Sequence, residues 1–396
     1  MAESLTLQQA RRIILHHTPL LSAENVSLTD APNRRPTVTL KAQLPIPHFR
    51  QSTMDGFAVH SSDIFPDKIL PVKGEIAAGC TDLQPLPSGQ AIRIMTGGAV
   101  PPGADQVIPM EHCRESEKGI LVTHQGKRRN NIRDKGSDLK KGQIIIKKGL
   151  SVQPLHLQFL ATSGYTSLPV FKKPSVAFLC TGSELVDKNP RPGQLISGNR
   201  SLLSGLIQKA QAIPVDLGTA ADNTQTIADK IKAAGPVNVI VTTGGMGPGK
   251  YDLIKEVCDT IGIEVLYTSL DVRPGRATLF GIKDSFLFFG LPGPPPAAHI
   301  LFQQLVKLAI HAFQGYSRPK PVSVKALLQE EITVKGKGLL NLKSALLFSK
   351  RGTLCVRENN ATAQPPNAVI CIPANRRKLL KGEFVTAYPF SEHYPS

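Results

Sequence analysis

The chain has 396 residues, 41% of them apolar and 19% charged, with a formal net charge of +17. At a soft prior of about 150 residues per domain this is a globular protein of several domains, and no apolar run of about 18 residues is present to span a bilayer. The charge favours anionic partners, but tryptophan is absent and aromatics are 5%, so bases would find little to stack on and nucleic acid is not expected.

Six cysteines, Cys80, Cys113, Cys180, Cys258, Cys355 and Cys371, form no C-x-x-C pair, which fits neither a disulfide framework nor a zinc site. The histidines form no H-E-x-x-H pattern. The opening Met1-Ala-Glu-Ser-Leu-Thr-Leu7 does not read as a signal peptide. A reducing cytoplasm and no membrane association are therefore expected.

The first predicted element is an amphipathic helix: Thr6 caps it, Gln9 completes a capping box, and Leu7, Ala10, Ile13 and Ile14 recur at helical spacing. From residue 37 the pattern turns to short β runs at 37–40, 90–94, 106–108 and 143–146, separated by Pro, Gly and Asp. The basic stretch Lys127-Arg128-Arg129 lies among them and reads as solvated loop charge. A second helix is predicted near 154–163. Strand and helix then alternate: strands at 175–180, 213–217, 237–241, 265–270 and 286–289, helices at 200–212, 224–234, 251–261 and 297–313. Such alternation means a mostly parallel sheet covered by helices. After the proline-punctuated Ser317-Arg-Pro-Lys-Pro321, β runs return at 322–324, 368–372 and 383–387.

The fold class predicted is thus multidomain α/β plus β. A helical linker domain covers 1–40 and 142–172, an inserted β domain 41–141, a central α/β domain 173–316 and a β-barrel-like domain 317–396.

Glycine-and-carboxylate turns punctuate this frame. Ser52-Thr-Met-Asp55-Gly56 and Arg93-Ile-Met-Thr96-Gly97 fall in the β domain; Thr181-Gly-Ser-Glu184, the acid turn at Asp222, Thr243-Gly244-Gly245-Met-Gly-Pro-Gly249-Lys-Tyr-Asp252 and Leu291-Pro292-Gly293 follow strands of the α/β domain. In a parallel sheet ligands bind beyond the carboxyl ends of the strands. Glycine lets main-chain N–H groups approach a phosphate, and a nearby carboxylate can hold magnesium against it. Each acid also has a plainer reading. Asp252 complements a helix start, Asp222 N-caps a helix, and Glu184 and Asp138 are turn residues. Arg273 and Arg276 offer two guanidinium groups around a turn, suited to an oxyanion or simply solvated.

Taken in order, these motifs resemble the molybdopterin molybdenumtransferases, the MoeA family that includes the E-domain of gephyrin. The resemblance is carried by the stretch 47–58 ending Met54-Asp55-Gly56-Phe-Ala58, Ile92-Arg-Ile-Met-Thr96-Gly97, Asn131-Ile-Arg-Asp-Lys-Gly-Ser-Asp138, Thr181-Gly-Ser-Glu-Leu185 and the loop ending at Asp252. It implies an elongated homodimer and a metal-dependent reaction, usually with Mg2+, in which adenylylated molybdopterin and molybdate give molybdenum cofactor and AMP. It further implies Asp55, Glu184, Asp222 and Asp252 at metal and phosphates, and Asp55, Thr96 and Asp138 at a cleft shared between subunits. Thr181, Gly244, Gly245, Gly249, Pro292 and Gly293 would bind substrate. Arg273 and Arg276 stand where the family usually has lysines near the anion, and the molybdopterin adenylyltransferase is the implied partner.

The sequence departs from the family on the anion side. The usual L-P-G-N-P-x-S reads Leu291-Pro-Gly-Pro-Pro-Pro-Ala297, and the G-R-x-x-F-x-R pattern falls near Gly338-Leu-Leu-Asn-Leu-Lys343-Ser344 without either arginine. Lys343 is a candidate replacement. Alternatives to the transferase reading are a paralogue that binds a pterin nucleotide or another anion without inserting molybdenum, and a non-catalytic dimeric scaffold.

Overall fold

A computed structural model describes residues 4–186, 188–246, 253–284, 286–334, 338–359 and 364–391. The chain forms two compact units, Asn25–Val170 and the combination of Met1–Glu24 with Phe171–Ser396.

Helix α1 (Leu7–His16) opens as its sequence predicts. Thr6 Oγ1 accepts from the Gln9 N–H at 3.2 Å and Gln9 Oε1 accepts from the Thr6 N–H at 2.8 Å, closing the capping box.

In the Asn25–Val170 unit the main sheet has four strands, β1 (Gly56–Val59), β2 (Val72–Ile76), β3 (Ala91–Ile94) and β4 (Gln106–Pro109), in the order β2-β3-β1-β4. Both faces of β1 are covered. Ala58 packs with Ile76, Ile92, Ile94 and Val107, while Phe57 and Val59 pack with Leu70, Ile108 and Ile120. Polar alternation is therefore missing from this strand. The predicted run at 37–40 is not a strand: pairing to Ile144–Ile146 begins only at Leu40. Thr37 instead donates its N–H to Pro169 O, and Thr39 Oγ1 accepts from the Lys148 N–H, bonds that bend the chain away from the ladder. Helix α2 (Pro154–Thr162) buries Leu160 among Ile146, Val152, Leu168 and Val170.

The second unit holds a six-stranded sheet built from β5 (Ser175–Thr181), β6 (Ile213–Ala220), β7 (Val239–Thr243), β8 (Glu264–Ser269), β9 (Ala277–Lys283) and β10 (Phe286–Leu291). Its order is β6-β5-β7-β10-β9-β8, parallel from β6 to β10, with β9 antiparallel to both neighbours. Strand β9 is an addition to the predicted alternation. The continuous apolar runs are those of a sheet buried on two faces. Ala177, Leu179, Ile240 and Phe288 face α4 (Thr224–Lys232) and α5 (Leu253–Ile261). Val176, Phe178, Val241 and Phe289 face α1, α3 (Gly198–Lys209) and a long helix made of α6 (Pro295–Leu301), a π-helical stretch (Phe302–Val306) and α7 (Lys307–Phe313).

That long helix is buried nearly all round: Leu301, Phe302, Leu305 and Ile310 are fully inaccessible. Its other side meets a closed barrel of β11 (Val324–Leu328), β12 (Leu340–Lys350), β13 (Thr353–Glu358), β14 (Ala368–Ile372) and β15 (Phe384–Pro389), with Leu342 and Val369 joining the same core. The ring β12-β13-β11-β15-β14 closes through β14–β12 pairing, so no edge is left open. Where π-helical bonding displaces the regular ladder, Gln304 O accepts from buried Arg11 Nε at 3.2 Å, which satisfies the carbonyl. Among the described residues no helix is long and apolar enough to cross a membrane.

Gly56 lies so close to β4 that a Cβ there would stand 2.0 Å from Ile108 O. Gly56→Ala is expected to destabilise the Asn25–Val170 unit by about 3 kcal/mol, because the backbone and not a mobile side chain must yield. Chemical denaturation followed by circular dichroism measures it.

Candidate active site

Strands β5, β6, β7 and β10 all end at one side of the sheet, and their loops are tied together there. The Gly244 N–H donates to Leu291 O at 3.1 Å and the Gly182 N–H to Ala220 O at 3.0 Å. At Gly244, with φ +102°, a Cβ would lie 2.2 Å from Thr181 O, so only glycine permits this approach. A cavity of about 390 Å³ opens between the loops. Of the candidates, Thr181, Glu184, Asp222, Gly244, Gly245 and Gly293 line it, with Pro292 leading the chain into Gly293. Asp252 and Gly249 lie outside the described residues.

Asp222 does not cap α4. Asn223 does, its Oδ1 accepting from the Thr226 N–H at 2.9 Å. Asp222 joins two loops instead: its Oδ2 accepts from the Ser183 N–H at 3.2 Å, and its own N–H donates to Ser183 Oγ at 3.1 Å. The neighbouring Glu184 carboxylate folds back over Gly182, where a Cβ would meet Glu184 Oε1 and Oε2 at 2.7 Å. Both carboxylates are exposed on one wall of the cavity, beside three glycines. Among the described residues no group of three or more His, Cys, Asp or Glu side chains is arranged to hold a metal. Two carboxylates plus substrate oxygens remain a donor set suited to magnesium, which keeps waters and seldom takes an all-protein cage.

One lining residue was not visible in the sequence. Asn199, in the first turn of α3, lines the cavity at 7% exposure, and its Nδ2 donates to Gly293 O at 2.7 Å and Thr243 Oγ1 at 3.2 Å. The one signal was its place beside Ser197 and Gly198 at a helix start, which a cap explains equally well; yet Ser197 makes no side-chain cap bond. Pro294 and Pro295 also line the cavity, and Leu195 and Ile196 line it beside Glu184, where Leu195 and Ile196 pair with Leu185 and Val186 and the Leu195 N–H donates to Glu184 O at 2.8 Å.

In the other unit, Asp55 Oδ1 accepts from the Thr96 N–H at 2.7 Å and from Thr96 Oγ1 at 2.8 Å. These two bonds, the main-chain one first, hold the Asp55 carboxyl below its usual range. Asp138 belongs to a separate turn and accepts from Arg133 Nε at 3.1 Å. The basic run near it is largely paired, Arg128 with Asp105 and Arg129 with Asp134. Arg273 and Arg276 are exposed and do not line the cavity. Their turn follows β8, which runs in the same direction as β10 and so opens at the same end of the sheet. The Val272–Arg273 segment also pairs with Leu340 and Asn341 of the barrel. Lys343 is bound to Glu358 at 2.9 Å, so its charge is already matched.

Parallel strands ending in glycine turns around a cavity, with two carboxylates beside it, define an α/β ligand site of the kind that opens beyond the carboxyl ends of the strands. Residues 5–164 match the MoeA N-terminal region (domain I and II), and residues 177–312 match a probable molybdopterin binding domain. A molybdopterin molybdenumtransferase of Haemophilus influenzae is 31% identical over 401 residues, spanning 98% of this chain and 99% of that one. One of Bacillus subtilis is 30% identical over 400 residues, spanning 96% and 93%. The fold is shared with a molybdopterin biosynthesis MoeA protein from Pyrococcus horikosii, with a TM-score of 0.87 at 24% identity over 99% of this chain and 100% of that one. The chain belongs to the molybdopterin molybdenumtransferase family.

Thr96→Val removes one of the two donors to Asp55 and is expected to raise its pKa, as carboxyl NMR titration would show. A depressed carboxyl contributes stability above its unfolded pKa and loses it as pH falls through the folded one, so the variant should lose that contribution at a higher pH than wild type. Gly244→Ala is expected to abolish ligand binding in the cavity, measured by calorimetry, because the loop must leave Thr181 to make room.

Proposed function

We propose that this chain inserts molybdate into adenylylated molybdopterin and releases AMP, in molybdenum cofactor biosynthesis. The observation that carries the proposal is the wall formed by Glu184 and Asp222 beside Gly182, Gly244 and Gly245, at the mouth of four parallel strands in a chain of this family. Main-chain N–H groups and a cation are what a pyrophosphate needs. On this reading Glu184 and Asp222, together with Asp252, would hold Mg2+. A bound magnesium would neutralise the pyrophosphate oxygens and stabilise charge on the departing AMP.

The chain's own contributions follow from its geometry. The Ser183 bonds to Asp222 keep the two acidic loops at a fixed separation. Asn199 clamps Gly293 to Thr243 and so fixes the floor of the cavity. Arg273 and Arg276 sit at the same end of the sheet and supply positive charge for the incoming molybdate, which each guanidinium can meet with paired N–H donors. Asp55, anchored by Thr96, acts at the substrate from the β unit of a second subunit. The protein then works as a homodimer in the cytoplasm and receives its substrate from the molybdopterin adenylyltransferase.

The decisive measurement is AMP release from adenylylated molybdopterin with and without molybdate and magnesium. Release dependent on both is expected, reduced about a hundredfold in Glu184→Gln and in Asp222→Asn. Tight nucleotide binding without release at any molybdate concentration would overturn the transferase reading and leave the paralogue. Sedimentation velocity tests the dimer, and a single species at the monomer mass would remove it.

A further inference from the structure

Away from the candidate active site, the long helix, the proline-punctuated linker and the end of β15 enclose a second cavity of about 100 Å³. Gln303, Gln304, Lys307 and His311 face it from the helix, and Arg318 and Lys320 from the linker. The helix opens at the active site with Pro295, so residues 303 to 311 lie roughly 12 to 24 Å farther along its axis. The two cavities share no lining residue.

The second cavity carries one sign of charge. Lys307, Arg318 and Lys320 line it, and among the described residues no Asp or Glu does. Lys307 Nζ donates to Phe390 O at 2.8 Å, a bond that holds the ammonium in place. Arg318 and Lys320 each precede a proline, which restricts their backbone to extended conformations and stiffens the segment that carries them. Neither has a carboxylate partner among the described residues. The helix adds no acceptor to oppose these donors. Gln303 Oε1 is buried without accessible surface, and Gln304 Oε1 is taken by Arg11, so what the Gln304 amide has left to offer is N–H.

Like charges gathered around one small space repel, and an anion placed between them turns the repulsion into attraction. The volume selects the anion. It is well below the about 300 Å³ at which sites for drug-sized ligands begin, so it excludes a nucleotide and suits one compact oxyanion.

We propose that Lys307, Arg318 and Lys320 form a binding site for a tetrahedral oxyanion of the phosphate, sulfate or molybdate kind, separate from the candidate active site. The bound ion joins the long helix to the linker through charge-assisted hydrogen bonds. The inference does not depend on the reaction proposed above.

The full chain in neutral chloride buffer is titrated calorimetrically with sodium phosphate, sulfate and molybdate, with sodium chloride at matched ionic strength as the control. At least one oxyanion is expected to bind, and the tightest of the three names the occupant. Its affinity should persist in Arg273→Gln, which removes a charge from the other anion candidate. It should fall about tenfold in Lys320→Gln and about a hundredfold in the double variant Arg318→Gln/Lys320→Gln, the effect of one and two lost charge-assisted bonds. Lys320→Arg, which keeps the charge, should bind as wild type does. No heat beyond the chloride control with any of the three ions overturns the inference, as does undiminished binding in the double variant. Binding lost in Arg273→Gln but kept in the double variant places the ion in the active site and overturns it too. If the double variant loses its cooperative melting transition, Lys320→Gln decides alone by the same criterion.

Discussion

The close approach of Gly244 to the Thr181 carbonyl is the constraint on which the site depends. Parallel pairing brings β5 and β7 to the same level, and the chain must then turn sharply outward at both ends without a side chain between them. Because Gly244 has no Cβ, its N–H reaches Leu291 O and the third strand end is drawn in as well. Asn199 then spans from Thr243 to Gly293 across the gap. Remove the close approach, and the loops that carry Glu184 and Gly293 lose their common reference. The cavity is a consequence of backbone packing before it is a matter of functional side chains.

Support for that arrangement comes from behind. The helix beginning at Pro295 starts at the cavity and runs back through the core, packed on one side against the sheet and on the other against the barrel. Each fully buried Leu or Phe along it contributes about 1.5–3 kcal/mol of burial, which is ample to hold a helix whose first two residues are prolines without an N–H. Buried Arg11 meets Gln304 through both the main chain and the side chain, and its guanidinium lies 5.1 Å from the Tyr388 ring centre. It thereby joins the first helix, the irregular turn and the barrel at one point.

How much of this was legible depended on how local the cause was. The capping box at Thr6 and Gln9, the apolar runs of β5, β7 and β10, and the long apolar helix are written in neighbouring residues, and they fold as their pattern predicts. The barrel was legible only as scattered runs. Its longest strand, β12, mixes Asn341, Lys343 and Ser344 with leucines, and its polar members are explained by partners distant in sequence such as Glu358. Asp222 looked as much a cap as a site residue because Asn223 and Thr224 follow it; the bond from Ser183 that separates the two roles spans 39 residues. Asn199 was invisible for the same reason, since its partners at 243 and 293 are set by topology. Turns announce themselves locally, whereas the groups that face one another across a cavity do not.

The anion side is where the sequence and its family part, and the structure limits how the difference can be made good. The serine and asparagine of the usual loop are replaced by buried Ala297 and by Pro294, and neither side chain can hydrogen-bond an oxyanion. Lys343 is held by Glu358 and cannot offer an unmatched charge. The turn of Arg273 and Arg276 opens at the same end of the sheet. It is braced by the Leu270 N–H on Arg276 O at 2.8 Å and by Gly275 lying against Leu301, where a Cβ would come within 2.5 Å. The brace fixes the backbone of a turn whose two arginines are exposed. Arginine keeps its charge at any working pH and presents planar paired donors, so two of them can meet a tetrahedral oxyanion where two lysines would rely on added hydroxyl and amide donors. On the proposed reading, the arginines and the missing serine and asparagine are then one change: stronger cationic donors on one turn make the neutral donors on the next loop dispensable.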